Sequence, residues 1–284
     1  MNLDINKLKE KPIEELLKFS IINIDKPSGP TSFKVSEYVK KKLGINKTSH
    51  LGTLDPQVSG VLPVALGRAC RLSDYFMHGD KAYVGIMRIH KNVQEKILEE
   101  EMNKFKGKIK QLPPIKSRVK REERIREIKK FDIIEKDGKD FLFIADVEAG
   151  TYIRKLISDL GGKIEGAHML ELRRIRASIF PEENSINLYD FDKAVDEYKI
   201  GNEKNLKDIL IPAEICIETI MPIVQIKEKS LKSLLTGKPL MKEDVSDDLP
   251  KKDILAIFYK NRFLAVMKKV EEKDIIARAE FVLN

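Results

Sequence analysis

Apolar positions along this chain alternate between solid short runs and the 3.6-residue period of a helix. Phe19–Ile24, Val61–Ala65 and Ala82–Ile89 are compact apolar runs of strand length. Between the first two, KPSGPTS (Lys26–Ser32) gathers two prolines and a glycine and predicts a loop. Thr31 or Ser32 is placed to cap a helix reaching Leu43, and Gly44 is its natural stop. Residues 3–19 carry Leu8, Leu16, Leu17 and Phe19 at helical spacing around Pro12, which predicts a short, interrupted helical lead-in.

Further along, Phe131–Ile134 and Phe141–Val147 flank KDGKD, whose Asp-Gly pair predicts a hairpin. Ile153, Leu156, Ile157 and Leu160 form one helical face, ended by Gly161–Gly162. Residues 185–214 read as helical and acidic up to Pro212. From about Cys216 the texture changes to short β-rich runs (Ile220–Ile226, Ile254–Phe258, Phe263–Val266) separated by turns. That stretch is too short for a large core and predicts a compact β-barrel.

Charge changes the picture more than composition does. The chain of 284 residues has a formal net charge of +8 and 35% charged residues. Lys104–Lys130 alone holds 12 basic and 3 acidic residues, so the rest of the chain is close to neutral. A run of this kind is either a solvated basic hairpin or a phosphate-binding surface. Cys70 and Cys216 form no CxxC, and no Cys/His spacing fits a metal site. The N-terminal residues lack the apolar core of a signal peptide, and no apolar run spans a membrane. The expectation is a cytoplasmic protein with no membrane contact, no metal and no cofactor.

The densest chemistry lies in KTSHLGTLDPQVSGVLPVALGRACRL, Lys47–Leu72. Gly52-Thr53-Leu54-Asp55-Pro56 puts a carboxylate in a tight loop, because glycine permits unusual backbone angles and a residue before proline is steered out of the helix. By itself Asp-Pro is also a common turn dipeptide, His50 an ordinary structural histidine, and Tyr83 an ordinary strand aromatic. The longer pattern H-x-G-T-L-D-P-x-x-x-G, present from His50 to Gly60, resembles the signature of the TruB/dyskerin family of pseudouridine synthases. KPSGPTS, DKAYVG (Asp80–Gly85), EAGTYIRKL (Glu148–Leu156) and GAHMLELRR (Gly166–Arg174) resemble that family's other motifs. The GAHM form and the VSGVLPVAL continuation are similar to its archaeal dyskerin-like branch.

The resemblance implies a set of roles. Asp55 matches the catalytic aspartate, Arg154 the arginine that pairs with it, and Tyr83 the tyrosine that stacks on the target base. His50, beside Gly52 and Thr53, matches a residue that helps hold the base out of the stack. Lys26 and Pro27 brace the catalytic loop, Lys81 belongs to the K-x-Y motif, and Leu172 lines the uracil pocket. Lys116, Arg118, Lys120 and Arg121 fall where the family carries a mobile RNA-closing loop. SLLTGKPLM (Ser233–Met241), with Gly237 and Lys238, stands at the RNA-contacting turn of a PUA domain, although the usual G-A-x-L is replaced here.

The chemistry asks for such residues. The uracil must leave the base stack, detach from C1′ and rejoin through C5. An ionised carboxylate serves as nucleophile or base, and an arginine partner favours and aligns that form. The implied fold class is α+β, with a mixed, largely antiparallel central sheet, flanking helices and a small C-terminal β-barrel. The expected division is 1–19 as an extension packing near the PUA domain, 20–214 as the catalytic domain and 215–284 as the PUA domain. The implied partners are box H/ACA guide RNA, ribosomal and transfer RNA substrates, and three proteins: a small zinc-ribbon type, a β-barrel type and a kink-turn binder. The competing expectation is a non-catalytic RNA-binding scaffold. A transglycosylase or methyltransferase would need a zinc cluster or glycine-rich cofactor loop that the sequence lacks.

Overall fold

The computed structural model describes residues 3–113, 120–245 and 249–283. Lys116 and Arg118 therefore lie outside the described residues. Among those described, one large mixed sheet runs in the order Ile186–Asn187, Ser20–Lys26, Ser59–Leu66, Ala167–Ala177, Lys81–Ile89, Asp140–Val147, Arg124–Asp137, Gly107–Gln111. Ser20–Lys26 with Ile186–Asn187 and Ser59–Leu66 with Ala167–Ala177 are parallel pairs; the other neighbours on that path are antiparallel.

Strand alternation sends side chains to two cores. Ile22, Ile24, Leu62, Val64, Tyr83, Met87, Phe141 and Phe143 face the helices Ser32–Leu43, Glu95–Asn103, Ile153–Gly161 and Leu188–Lys199. Ile21, Val61 and Ala65 point the opposite way, into a core shared with Leu8, Ala213, Ile217, Phe258 and Phe263. The helix Ser32–Leu43 starts where its cap predicts: the Thr31 hydroxyl accepts from the Lys34 amide, and Gly44 closes it at φ +67°. The Lys136–Asp140 turn joins the Arg124–Asp137 and Asp140–Val147 strands, with Gly138 at φ +57°.

The acidic stretch 185–214 is helical in two pieces rather than throughout. Short strands Ile186–Asn187 and Ile211–Pro212 bracket the helices Leu188–Lys199 and Lys204–Ile209, and Gly201 at φ +96° separates those two. The helix Ala213–Ile220 then runs through the point where the texture changes, burying Ala213, Cys216 and Ile217. Of the expected β-rich run Ile220–Ile226, only Ile223–Gln225 is a strand, because Ile220 ends that helix and Pro222 precedes the turn into the sheet.

The C-terminal residues form a curled five-stranded half-barrel, ordered Ile223–Gln225, Ile254–Tyr259, Arg262–Lys269, Ile275–Val282, Leu240–Met241. Phe19 stacks on Phe263 with centroids 5.5 Å apart and planes 8° from parallel, joining this sheet to the large one. The N-terminal residues reach the same joint: the Asp4 amide donates to Asn261 Oδ1 at 3.0 Å, and Lys11 pairs with the buried Glu214 at 2.6 Å. Among the described residues no helix is long and apolar enough to cross a membrane.

Candidate active site

Asp55 sits at the tip of a loop that its own side chain does not hold. The segment from Leu51 to Val58 leaves the short Thr48–His50 strand and returns into Ser59–Leu66. Gly52 takes φ +121°, a conformation rarely open to residues with a side chain. The Ser32 hydroxyl donates to the Leu54 carbonyl (3.1 Å) and accepts from the Leu54 amide (2.8 Å), fixing the residue before Asp55. The Gly29 amide donates to the Pro56 carbonyl at 2.8 Å, and the Val58 amide to the Asp55 carbonyl at 3.0 Å. The Asp55 carboxylate is left free to face outward.

Lys26 anchors this arrangement from below. Its side chain is fully buried, and its ammonium donates to the carbonyls of Pro27 (2.8 Å), Pro30 (2.9 Å) and Pro56 (3.1 Å). Two loops distant in sequence are thus tied to one cation. Burial, then the Arg174 charge, lower its pKa, while Asp55 opposes them. Replacing Lys26 by methionine keeps the volume and removes all three donors. The Pro56 carbonyl keeps the Gly29 amide, so two carbonyls lose their partner. At about 1–3 kcal/mol per unsatisfied buried group, Lys26→Met should lose roughly 2–6 kcal/mol. A lower urea midpoint at unchanged slope would show it; a wild-type midpoint would mean the loops hold without Lys26.

Arg154 comes from a separate element, the helix Ile153–Gly161. Ile153, Leu156, Ile157 and Leu160 bury one face of the Ile153–Gly161 helix, and Arg154 lies off that stripe. Its Nη1 stands 3.3 Å from Asp55 Oδ2, with the two side chains 61% and 56% exposed. The pair is therefore open to a ligand. The start of the helix is pinned by Gln111, buried at 2% exposure: its Oε1 accepts from the Tyr152 amide at 3.0 Å and its Nε2 donates to the Tyr152 carbonyl at 3.3 Å.

His50 Nε2 lies 3.2 Å from the Thr53 hydroxyl, within the same loop. Burial and, secondarily, Arg174 hold its pKa below the usual histidine range, so it is neutral at pH 7. Tyr83 is 8% exposed on Lys81–Ile89, directly opposite Arg174 of Ala167–Ala177. Leu172, also 8% exposed, lies two residues before Arg174 and joins Tyr83 and Leu54 in one core. Lys81 is buried and turned inward, its ammonium donating to the Met77 and Gly79 carbonyls. Burial, then Arg174, push its amine down to about 8.

The remaining expected residues lie elsewhere. Pro27 contributes its carbonyl to Lys26. Lys120 and Arg121 are exposed, and Lys120 pairs with Glu122. They precede Arg124–Asp137, which pairs with Gly107–Gln111, so the described flanks of the basic segment form a hairpin. Gly237, at φ +87°, and Lys238 are exposed in the half-barrel, between the helix Leu231–Leu235 and the strand Leu240–Met241.

Three residues that build the site are not assigned to it by the sequence: Ser32, expected only as a helix cap, Gln111, and Arg174, which lies in GAHMLELRR without a role. Arg174 is 1% exposed; its Nε donates to the Val61 carbonyl at 2.8 Å and its Nη2 to the Gly52 carbonyl at 2.9 Å. Their partners are distant in sequence, and only the tandem arginines of ELRR marked the place.

The arrangement presents one open carboxylate–guanidinium pair, its carboxylate on a loop that also carries His50, with Leu54 of that loop packed in one core with Tyr83 and Leu172. No group of three or more His, Cys, Asp or Glu among the described residues could hold a metal ion. Comparison with known proteins gives the family. Residues 40–153 match the TruB family pseudouridylate synthase N-terminal domain, residues 154–218 the tRNA pseudouridylate synthase B C-terminal domain, and residues 8–36 the DKCLD (NUC011) domain. A probable tRNA pseudouridine synthase B of Nanoarchaeum equitans is 41% identical over 252 residues, covering 87% of this chain and 72% of the relative. One of Methanopyrus kandleri is 41% identical over 255 residues, covering 88% and 75%. Among solved structures, a chain of a Cbf5-Nop10-Gar1 complex superposes with a TM-score of 0.88 at 37% identity, covering 97% of this chain and 88% of that one. A chain of an H/ACA RNP bound to a substrate RNA containing 2′-deoxyuridine superposes at 0.87 with 35% identity, covering 98% and 89%. The chain belongs to the TruB family of pseudouridine synthases, alongside its archaeal members.

Proposed function

We propose that this protein isomerises uridines in RNA to pseudouridine, as the catalytic subunit of an H/ACA guide-RNA particle, with Asp55 as its catalytic carboxylate. The observation that carries this reading is the Asp55–Arg154 pair, joined across 99 residues of sequence and open to solvent. In the reaction the C1′–N1 bond breaks, the base turns, C1′ bonds to C5, and the C5 proton leaves to solvent while N1 gains one. Asp55 acts at the reacting ribose–base unit, Arg154 aligns its carboxylate, and Tyr83 stacks on the base. His50, Gly52 and Thr53 hold the displaced nucleotide, and Leu172 lines the uracil.

The exposed basic flank around Lys120 and Arg121 positions RNA through phosphates rather than reading sequence. Residues 215–284 form the RNA-binding PUA domain, which contacts the guide through the turn at Gly237 and Lys238. Residues 20–214 are the catalytic domain, and residues 1–19 pack near the PUA domain. The solved relatives support a particle that includes small protein subunits, and the family models support transfer RNA as a second substrate, within which the T-loop uridine is the proposed target. The protein acts in the cytoplasm.

Tritium release from RNA labelled with 5-³H-uridine tests the proposal. One arm offers transfer RNA alone, and a second offers a reconstituted guide particle with its matched target. Release in either arm establishes the isomerisation, and the responding arm separates stand-alone from guided action. No release in both arms, from folded protein that binds RNA, would leave a scaffold.

Arg154→Ala separates alignment from stability. An exposed ion pair contributes about 0–1 kcal/mol, so the melting temperature should stay close to wild type. Loss of an aligning charge at the reacting group should slow single turnover by about 10²-fold. A wild-type rate from this variant would remove Arg154 from the reaction.

A further inference from the structure

We infer that Arg174 is a positioning residue for the reaction, its single buried guanidinium fixing the backbone of the Asp55 loop and the Tyr83 side chain relative to each other. This rests on the function proposed above. Arg174 makes no hydrogen bond to Asp55 and is buried, with Val61 and Gly52 carbonyls as its partners. It differs in this from Arg154, which is exposed and meets Asp55 directly.

The geometry is specific. Nε and Nη2 lie on one edge of the planar guanidinium, and they donate to Val61 O at 2.8 Å and Gly52 O at 2.9 Å. Those carbonyls flank the loop that carries Asp55, one on each side. Tyr83 stands directly opposite Arg174 on the adjacent strand, so its side chain leaves the sheet beside the same guanidinium. A rigid fork thus spans both ends of the loop and the aromatic ring beside it. Lysine would have to reach both carbonyls from one nitrogen on a flexible stem, without the planar two-point edge.

Electrostatics argue that the residue is not there for stability. No carboxylate lies within ion-pairing distance of Arg174 among the described residues. A buried guanidinium satisfied only by neutral partners carries a desolvation penalty that an apolar side chain of similar volume would avoid. Its field also reaches His50, Lys26 and Lys81, adding to the effect of burial in disfavouring their protonated forms. What the arginine does provide is relative placement, and reacting groups must be held to within about 0.5 Å to be productive.

The test is single-turnover tritium release at saturating enzyme, measured with RNA affinity and melting temperature, for wild type, Arg174→Lys, Arg174→Ala and Tyr83→Phe. Arg174→Lys should slow the saturating step roughly 10–100-fold while RNA affinity changes by less than about threefold, since misplacement affects the chemical step more than binding. Methylguanidinium at non-denaturing concentration should recover part of the rate of Arg174→Ala and leave wild type unchanged. Tyr83→Phe, which keeps the ring and removes the hydroxyl, should slow the same step, and its effect should not multiply with that of Arg174→Lys. Folded Arg174 variants with wild-type rates would overturn the inference. So would rate losses that track only the loss of folded protein, with no rescue. If neither Arg174 variant folds, Tyr83→Phe decides alone, and a wild-type rate from it overturns the proposed link. Silence of the wild-type protein would instead sink the proposed function itself.

Discussion

Asp55→Asn is expected to abolish tritium release, slowing single turnover by at least about 10⁴-fold, the scale seen when a nucleophile or base is removed and only binding and electrostatics remain. The substitution keeps the shape of the side chain and removes its charge and basicity. The loop should survive it intact, because its anchors are independent of the carboxylate: Lys26 on Pro56, Ser32 on Leu54, Gly29 on Pro56, and Arg174 on Gly52. Arg154 loses an exposed partner, a change of about 0–1 kcal/mol. Melting temperature and RNA affinity should therefore match wild type while the chemistry stops. That combination is hard to obtain from damage to the fold. A folded Asp55→Asn protein with wild-type release would remove Asp55 from the mechanism. A wild-type protein that binds RNA and never releases tritium would make the variant uninformative and favour the scaffold.

The parts of this site that could be read from sequence are those whose reasons are local. Gly52, Pro56 and the run from His50 to Gly60 lie within eleven consecutive positions, so a tight loop bearing a carboxylate is legible there. The Thr31 cap, the Gly44 stop and the stripe Ile153–Leu160 are legible for the same reason: each is set by spacing along one element. The supporting residues are not local. Arg174 meets Gly52 across 122 positions, Gln111 meets Tyr152 across 41, and Lys26 meets Pro56 across 30. Nothing in the neighbourhood of a lysine or arginine tells whether it points to solvent or beneath a loop. Lys81 illustrates the ambiguity: it stands in a motif expected at the substrate side, and its ammonium turns inward to two carbonyls. The short strands that bracket the helices of 185–214 are illegible for another reason. The acidic helical composition of the stretch is real, but two-residue strands at 186–187 and 211–212 are fixed by pairing with Ser20–Lys26, and such short strands have no period of their own.

Gly60→Ala should be the most damaging single-methyl change at this site, with an expected loss of roughly 3–5 kcal/mol from backbone strain plus forced overlap. Gly60 sits at φ +101°, where three strands converge: it pairs with Lys26 on one side and Arg174 on the other. A β-carbon there would stand 2.2 Å from the Arg174 carbonyl oxygen and 2.9 Å from its amide nitrogen. Both contacts are backbone, so no side-chain rotation relieves them, and the two strands must part. Parting them pulls Arg174 from Val61 and Gly52, and the Asp55 loop follows. Gly29 supplies the control. It has a similar backbone angle, φ +114°, but nothing lies within 4 Å of its added carbon. Gly29→Ala should therefore show only the conformational strain, about 1–3 kcal/mol. Urea midpoints of the two variants measure the difference directly, and that difference is the steric part. Equal losses would mean that the Ser59–Leu66 and Ala167–Ala177 strands yield easily at this point, and that the close approach of Gly60 to Arg174 does not hold the catalytic loop in place.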